Sequence, residues 1–553
     1  MSAPFPISDS EIIDVPPPRR RRWRRWLLGA LVLLFIVISR SLSIYLSALW
    51  FGSLGYSSVY WYILKLKVGI FLVSLILTAL ILRAGLSVLE RIFSVHALAP
   101  RTIMVNNQPV QFSPGRFLRP VAWGIALIFA FFSALSMKGK WLEFAAYLHR
   151  TPTALSDPIF QKPLEFYLFS LPVLDAISSW LIMITFVLFC AALIYSLLSI
   201  PQTLVKSARS VSATSFAATS GALAGFLLAL AWRVYLSRFP YLWADHQTFS
   251  GVTYTEANYL LPALTIVAVS LVIAALICLI NAFSKRGLRL LVLACALPVL
   301  VYIVGVVIVP TYINSFIVKP NELGRETPYI EHNIAWTRRG FGLEQLELRE
   351  FEADPSIEAL NLNANRSTLE NIRLWDWRAL QDTLKQVQSI RTYYDFLDVD
   401  VDRYSLGNQT RQVMLAAREL DVDKLPVSSR NWINEKLIYT HGYGVTMNTA
   451  NGFTPEGMPR FVLSDMPTKA SAPEVTVTRP QIYYGQKTDT DVYVNTAQKE
   501  FDFPQGESNT YTTYEGTGGI PIGGRLRRIL LAWTLNDLSK LPFSDDITSQ
   551  SRV

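Results

Sequence analysis

Seven apolar runs dominate the first three hundred residues, at about 26–48, 61–82, 120–137, 172–198, 214–232, 259–283 and 290–309, each closed by charged or turn-forming residues. A helix needs about 20 apolar residues to cross roughly 30 Å of hydrocarbon, so each run predicts one membrane span. Beyond them the pattern changes. Apolar residues recur near a 3.6 period over 319–343 and 369–389, which predicts two amphipathic helices. After Leu425 come short β-rich pieces such as Glu474-Val-Thr-Val-Thr and Asp491-Val-Tyr-Val-Asn, separated by Pro, Gly and Asn. The pattern therefore predicts a basic N-terminus over 1–25, a membrane all-α bundle of about seven transmembrane helices over 26–309, and an extracytoplasmic α+β domain over 310–553.

Composition agrees with two different solvents. Of the 553 residues, 51% are hydrophobic and only 17% charged, and the mean hydropathy of +0.29 exceeds that of ordinary soluble proteins. Residues 1–309 carry 25 Lys and Arg against 10 Asp and Glu, whereas 310–553 carry 26 against 32. The basic excess lies between apolar runs, where it reads as membrane topology rather than as a nucleic-acid surface. Arg19 to Arg22, Arg24 and Arg25 precede the first run, which is too long for a signal-peptide core and lacks a small-x-small cleavage site. An uncleaved anchor with a cytoplasmic N-terminus follows. The connection around Arg83, Arg91, Arg101, Arg116 and Arg119 is basic, as are Lys206 with Arg209 and Lys285, Arg286 with Arg289. The alternate connections are uncharged or nearly balanced, so seven crossings place 310–553 outside the plasma membrane. Cys190, Cys278 and Cys295 all fall within apolar runs and give no disulfide framework.

Candidate chemistry is sparse. Gly221-Ala-Leu-Ala-Gly225 forms a GxxxG face suited to close helix packing within the protomer. Arg40 and Asp175 are the main ionisable residues at membrane depth, expected to anchor at an interface or to pair with each other. Pro262 and Pro298 are compatible with broken helices but are common in membrane spans. Asp398, Asp400 and Asp402 resemble the start of a calcium loop, yet Arg403 stands where that loop needs Gly and Gln409 where it needs a bidentate Glu. Alternation of Val with Asp fits a strand with one buried face instead. The stretch from Gly516 to Gly524 lacks a phosphate-loop register and a Walker Lys, and reads as a glycine-rich turn. His96, His149, His246, His332 and His441 have no metal spacing, and Tyr439-Thr-His441-Gly-Tyr-Gly444 reads as an aromatic turn. No catalytic residue, cofactor site or metal site is assigned.

Several segments resemble a bacterial family of large membrane proteins known only as an uncharacterised protein family. They are Leu49-Trp-Phe-Gly-Ser-Leu-Gly-Tyr56 with Val59-Tyr-Trp61; Asp157-Pro-Ile-Phe-Gln-Lys-Pro-Leu-Glu-Phe-Tyr-Leu-Phe169; the stretch Pro320-Asn-Glu-Leu-Gly-Arg-Glu-Thr-Pro-Tyr-Ile-Glu-His-Asn-Ile334; Asn371-Ile-Arg-Leu-Trp-Asp376; Tyr439 to Gly444; and Arg479-Pro-Gln-Ile-Tyr-Tyr-Gly485. The resemblance implies a multi-span plasma-membrane protein with a large exterior region, and brings no mechanism. Members extend beyond the position of Val553, so it also implies an incomplete exterior domain. The function class expected is a noncatalytic envelope protein with the bilayer and an envelope protein, lipid or glycan as partners. A transporter or channel with an exterior lid is one alternative. A transferase acting at the outer face is the other, with Glu143, Asp157 and Glu165 as its available acids.

Overall fold

The computed structural model describes residues 22–93, 101–105, 108–112, 114–198, 213–246, 249–284, 288–350, 361–487 and 490–553. The chain divides into two compact units, one made of 1–61 with 351–553 and the other of 62–350.

Helix α1 (Arg22–Ser53) leads into α2 (Ser57–Phe93), whose length falls almost entirely in the helical unit. A hairpin of β1 (Arg101–Val105) and β2 (Gln108–Phe112) precedes α3 (Pro114–Gly139) and the short α4 (Trp141–Leu148). Then come α5 (Leu171–Leu198), α6 (Ala213–Leu236), α7 (Leu261–Ser284), α8 (Leu288–Tyr302), α9 (Val309–Ile313) and α10 (Glu322–Gly340). Seven helical stretches among the described residues are long and apolar enough to cross a membrane, one for each predicted run. The last runs farther than predicted, from Arg289 to Gly340, because the helical path continues through α9 into the polar α10.

Packing in this unit relies on small residues. Leu82, Leu86, Leu89 and Phe93 of α2 meet Ala122 and Ala126 of α3, with Ile184, Ala192 and Tyr195 of α5. Ala224 and Ala231 of α6 meet Ala274, Ala275 and Cys278 of α7 and Ala294 of α8. Small side chains let helix backbones approach closely. The outward faces keep large apolar side chains, such as Ile266, Ile273, Ile280 and Phe283 on α7. Asp175 pairs with Arg233 in the last turn of α6, rather than with the partner the sequence suggested.

Four π-turns interrupt these helices, at Phe166–Ser170, Glu256–Leu260, Ile303–Ile308 and Asn314–Val318. Each ends two residues before a proline, respectively Pro172, Pro262, Pro310 and Pro320. A proline lacks the N–H for its i−4 carbonyl and its ring crowds that carbonyl, so the preceding turn opens to a wider hydrogen-bond pattern.

The other unit holds α1 together with a sheet-rich region. Its helices are α11 (Arg366–Leu369), α12 (Trp377–Val387) and α13 (Arg525–Thr534). The strands are β3 (Tyr394–Asp395), β4 (Asp400–Leu406), β5 (Gln409–Ala417), β6 (Glu419–Leu420), β7 (Gly442–Tyr443), β8 (Val445–Phe453), β9 (Pro459–Ser464), β10 (Lys469–Ala470), β11 (Gln481–Ile482), β12 (Glu500–Gln505) and β13 (Ser508–Thr512). Five form an antiparallel sheet in the order β10-β9-β8-β5-β4. Side chains alternate across it. Met414 and Ala416 of β5 join Leu380 and Leu384 of α12 on one face, while Val413 joins Met447, Val462 and Leu463 on the other. The remaining strands pair as β3 with β6, β7 with β11 and β12 with β13.

Strand structure thus begins before Leu425, earlier than the pattern predicted, and neither of the two β-rich segments singled out becomes a regular strand. Val475 donates its N–H only locally, to the Ala472 carbonyl, and Tyr493 donates to Lys436 across a loop. The predicted helix over 369–389 starts later, because Asp376 accepts the Arg378 N–H and caps α12 there.

The C-terminal end of α1 packs inside this unit. Leu46, Leu49 and Trp50 lie against Leu437, Tyr493, Ile520, Ile522, Leu531 and Ala532. Tyr45 accepts from Arg527 Nε at 3.2 Å, and Phe35 meets Trp533 with ring centroids 6.2 Å apart.

Candidate functional site

The Tyr439–Gly444 and Arg479–Gly485 segments run together because β7 pairs with β11, Gln481 opposite Tyr443 and Ile482 opposite Gly442. On its other side β7 runs so close to the Arg418–Leu420 backbone that position 442 requires glycine. A Cβ there would lie 2.5 Å from the Arg418 carbonyl oxygen and 2.9 Å from Glu419 Cα. Gly444 has φ +73°, and its N–H donates to the Pro480 carbonyl.

Behind this pair lies a polar network with a buried centre. His441 and Thr440 are inaccessible, and so is Glu500, at the start of β12. Thr440 Oγ1 donates to Glu500 Oε2 at 2.7 Å and lies 2.9 Å from His441 Nδ1. Tyr483 OH donates to the same Glu500 oxygen at 2.7 Å, and the Tyr514 N–H donates to its other oxygen at 3.1 Å. On its other side His441 Nε2 is 3.4 Å from Asp502 Oδ1, which also accepts from Gln481 Nε2 at 2.9 Å. Burial alone would push the imidazole down, but Asp502 and Glu500 outweigh it and raise His441 above its ordinary value. Burial likewise pushes the Glu500 carboxyl up, and the bonds from His441, Thr440 and Tyr483 more than reverse this, holding it low. The imidazole therefore lies between two carboxyl groups, one at each ring nitrogen.

Arg418 fixes the backbone on the other flank. It is completely buried, with Nε donating to the Gln388 carbonyl, one terminal nitrogen to the Tyr443 carbonyl and the other to Gln388 Oε1. Burial without a carboxylate in contact pushes this guanidinium down to about 10.

Tyr483 closes the network on one side and lines a cleft on the other. Its ring lies 4.8 Å from that of His441 and 4.8 Å from that of Tyr514. The cleft has a volume of about 370 Å³, and Trp50, Tyr483, Tyr484, Tyr514, Gly518 and Gly519 are among its walls. Trp50 and Tyr484 meet edge to face at 6.2 Å. The glycine-rich turn forms one side, and it is held by Arg552, whose guanidinium donates to the carbonyls of Gly518, Thr517 and Gly519. Its carbonyl oxygens converge on a cation, the opposite polarity to a phosphate cradle, which presents N–H groups. Three family-resembling segments thus meet here: Trp50 from the first, His441 from the fifth and Tyr483 with Tyr484 from the last.

The residues singled out from sequence fall elsewhere. Asp398, Asp400 and Asp402 are exposed, the last two on edge strand β4, where Val401 is 41% exposed, so the strand is present without the buried face. Asp402 Oδ1 accepts the neighbouring Arg403 N–H. On α6, a Cβ at Gly225 would meet Thr185 Cγ2 at 3.9 Å, an ordinary contact, and one at Gly221 would meet nothing within 4 Å. The tight glycine is Gly85, where a Cβ would sit 2.5 Å from Leu188 Cδ2. Asp157 accepts the N–H groups of Ile159, Phe160 and Lys162 and the Tyr167 hydroxyl, while Glu165 accepts from Thr153 N–H and Glu143 faces Lys140. Asp157 and Glu165 thus shape their own loop, while Glu143 lies in α4. His96 lies outside the described residues.

Fold and site together define a largely helical protein with seven candidate apolar helices, a separate sheet-rich C-terminal region and an aromatic cleft backed by a buried ionic network. The chain belongs to the uncharacterised protein family UPF0182, whose model matches residues 24–553. A UPF0182 protein of Desulforamulus reducens is 34% identical over 96% of this chain and 58% of its own length. Relatives from Cupriavidus necator and Bradyrhizobium diazoefficiens are 37% and 35% identical, over 97% and 98% of this chain and 58% and 60% of theirs. The chain therefore spans about three-fifths of the curated relatives it matches. No solved structure matches it.

Proposed function

We propose that the protein is a multi-pass plasma-membrane protein whose sheet-rich region lies outside the cytoplasm and binds an envelope glycan without chemically altering it. The observation that carries this reading is the aromatic cleft. Its walls offer ring faces, which suit the C–H faces of sugars as they suit other apolar surfaces, together with the backbone of a glycine turn. The nearby Glu500 and Asp502 are buried and bonded inside the network, so neither is placed as a solvent-facing acid or base. Thr440 beside His441 has the donor order of a nucleophile and base, but it is fully buried and its proton is committed to Glu500. Membrane insertion is supported by the large apolar side chains on the outer faces of the helices, and orientation by the basic connections.

A reporter fused after Ser250 or Asn361 is expected outside and one fused after Gln108 inside; a cytoplasmic signal at Asn361 overturns the orientation. Full-length protein in detergent is expected to co-sediment with isolated cell-wall glycan. Trp50→Ala with Tyr484→Ala is expected to lose that binding, and undiminished binding refutes the assignment.

A further inference from the structure

The helical unit holds an apolar groove that the proposed glycan site does not use. Its volume is about 570 Å³, and α2, α4 and α5 form its walls together with Met137 of α3. Leu66, Ile70, Val73 and Leu77 supply the α2 side, recurring at helical spacing along one face. From Leu66 to Leu77 that face runs roughly 16 Å at a rise of about 1.5 Å per residue. The length is close to the hydrocarbon depth of one leaflet, half of about 30 Å. Trp180 of α5 closes the inner end, its N–H donating to Thr78 Oγ1 at 2.8 Å.

The other end of the groove is cationic. Lys65 is exposed and forms part of the wall, which is otherwise uncharged. Lys67 Nζ stands 4.5 Å from the centroid of the Trp141 ring, and the Arg150 guanidinium 4.3 Å from that of Tyr147, itself a wall residue. None of these cations pairs with a carboxylate among the described residues, because Glu143 goes to Lys140 at 3.7 Å and Asp175 to Arg233. A lysine near the end of a span snorkels toward water, and Lys67 over Trp141 needs no further account. Lys65 differs, because it sets a positive charge at the mouth of a slot as long as a lipid chain is deep.

We propose that the groove seats an acyl chain of an anionic phospholipid whose phosphate lies beside Lys65. The chain covers the apolar walls and the phosphate supplies the missing anion, as basic pockets between membrane helices do for lipid headgroups. A second copy of this chain would fill the apolar part but brings no anion to Lys65. The inference rests on the membrane insertion proposed above and is independent of the glycan. With the proposed orientation the groove opens to the outer leaflet.

The test uses the full chain purified in detergent, with thermal unfolding followed as dioleoyl phosphatidylglycerol is added. Saturable stabilisation is expected, with little from dioleoyl phosphatidylcholine, which has the same chains and no net charge, or from glycerol phosphate, which has the anion and no chains. Lys65→Gln is expected to weaken the apparent affinity for the anionic lipid by about fivefold. At Gly69, also in the wall, a Cβ meets nothing within 4 Å, so Gly69→Leu obstructs the groove while favouring the helix and is expected to fold without the lipid response. An unchanged lipid response in either variant overturns the proposal, and should one variant fail to fold the other decides. So does absence of saturable stabilisation, an equal response to phosphatidylcholine or glycerol phosphate, or stabilisation that follows protein concentration instead of lipid, which points to a second copy. Washing membranes with alkaline carbonate reads insertion separately. Release of the protein overturns the membrane reading and this inference with it, whereas retention without lipid selectivity overturns this inference alone.

Discussion

His441→Gln is expected to remove the imidazole's share of the loss of stability of the sheet-rich region above pH 6.5. In the wild type, the raised imidazole keeps a proton in the folded state that the unfolded state releases near its ordinary value of 6.5. The stability this supplies is fully present below pH 6.5 and is lost as pH rises through the raised folded value. The depressed Glu500 acts with the opposite sign: its contribution is present above about 4.5 and is lost as pH falls through the lowered folded value. The network therefore supports folding best between about 4.5 and 6.5, and above that window stability falls by up to about 1.4 kcal/mol per pH unit. Glutamine retains polar atoms but no cation, so Glu500 and Asp502 are left facing one another without the charge between them. Removing one partner from a buried ionic cluster costs about 3–5 kcal/mol, which multiplies the opening equilibrium by roughly two to three and a half orders of magnitude. Hydrogen exchange of peptides covering β7, β12 and β13, corrected for intrinsic rates and measured from pH 5.5 to 8.5, reads that opening directly. Equal protection of variant and wild type, or parallel pH slopes above 6.5, would refute the raised imidazole.

Three further outcomes follow from the packing. Gly442→Ala meets the Arg418 carbonyl and is expected to destabilise the sheet-rich region by about 1–3 kcal/mol, read by the same exchange measurement; a neutral result removes the close-approach argument. Gly85→Ile is expected to lower the thermal-aggregation midpoint in detergent more than Gly221→Ile, because only the first must displace the Leu188 side chain; the reverse order would favour the GxxxG face as the packing site. Asp175→Asn is expected to reduce folded yield by weakening the contact with Arg233, and a parallel loss from Arg233→Gln checks that pairing.

The helices were legible because twenty apolar residues in a row leave few alternatives, and each predicted run has its helix. The sheet was less so. Val475 and Val477 have the period of a strand, yet Pro473 and Pro480 bracket them and their neighbours bond locally, whereas β5 and β8 carry mixed residues that tertiary packing sorts onto two faces. The ionic network was hidden for a different reason. Glu500-Phe-Asp502-Phe reads as a strand with a wet face, but both faces of β12 are buried, and the residue that neutralises its acids lies some sixty positions earlier. The prolines were the underused signal. Pro172, Pro262, Pro310 and Pro320 each follow a widened turn, whereas Pro120, Pro298 and Pro328 sit within regular helix.

The contact between Tyr45 and Arg527 joins residues 482 positions apart. At a synthesis rate of about 5–20 residues per second, roughly 24 to 96 seconds separate their emergence from the ribosome. During that interval Leu46, Leu49 and Trp50 have no α13 to cover them, so the aromatic cleft is assembled from segments made far apart in time. The region's birth is therefore staged: the wall bearing Trp50 waits, and a factor that shields nascent apolar segments has a long engagement with α1.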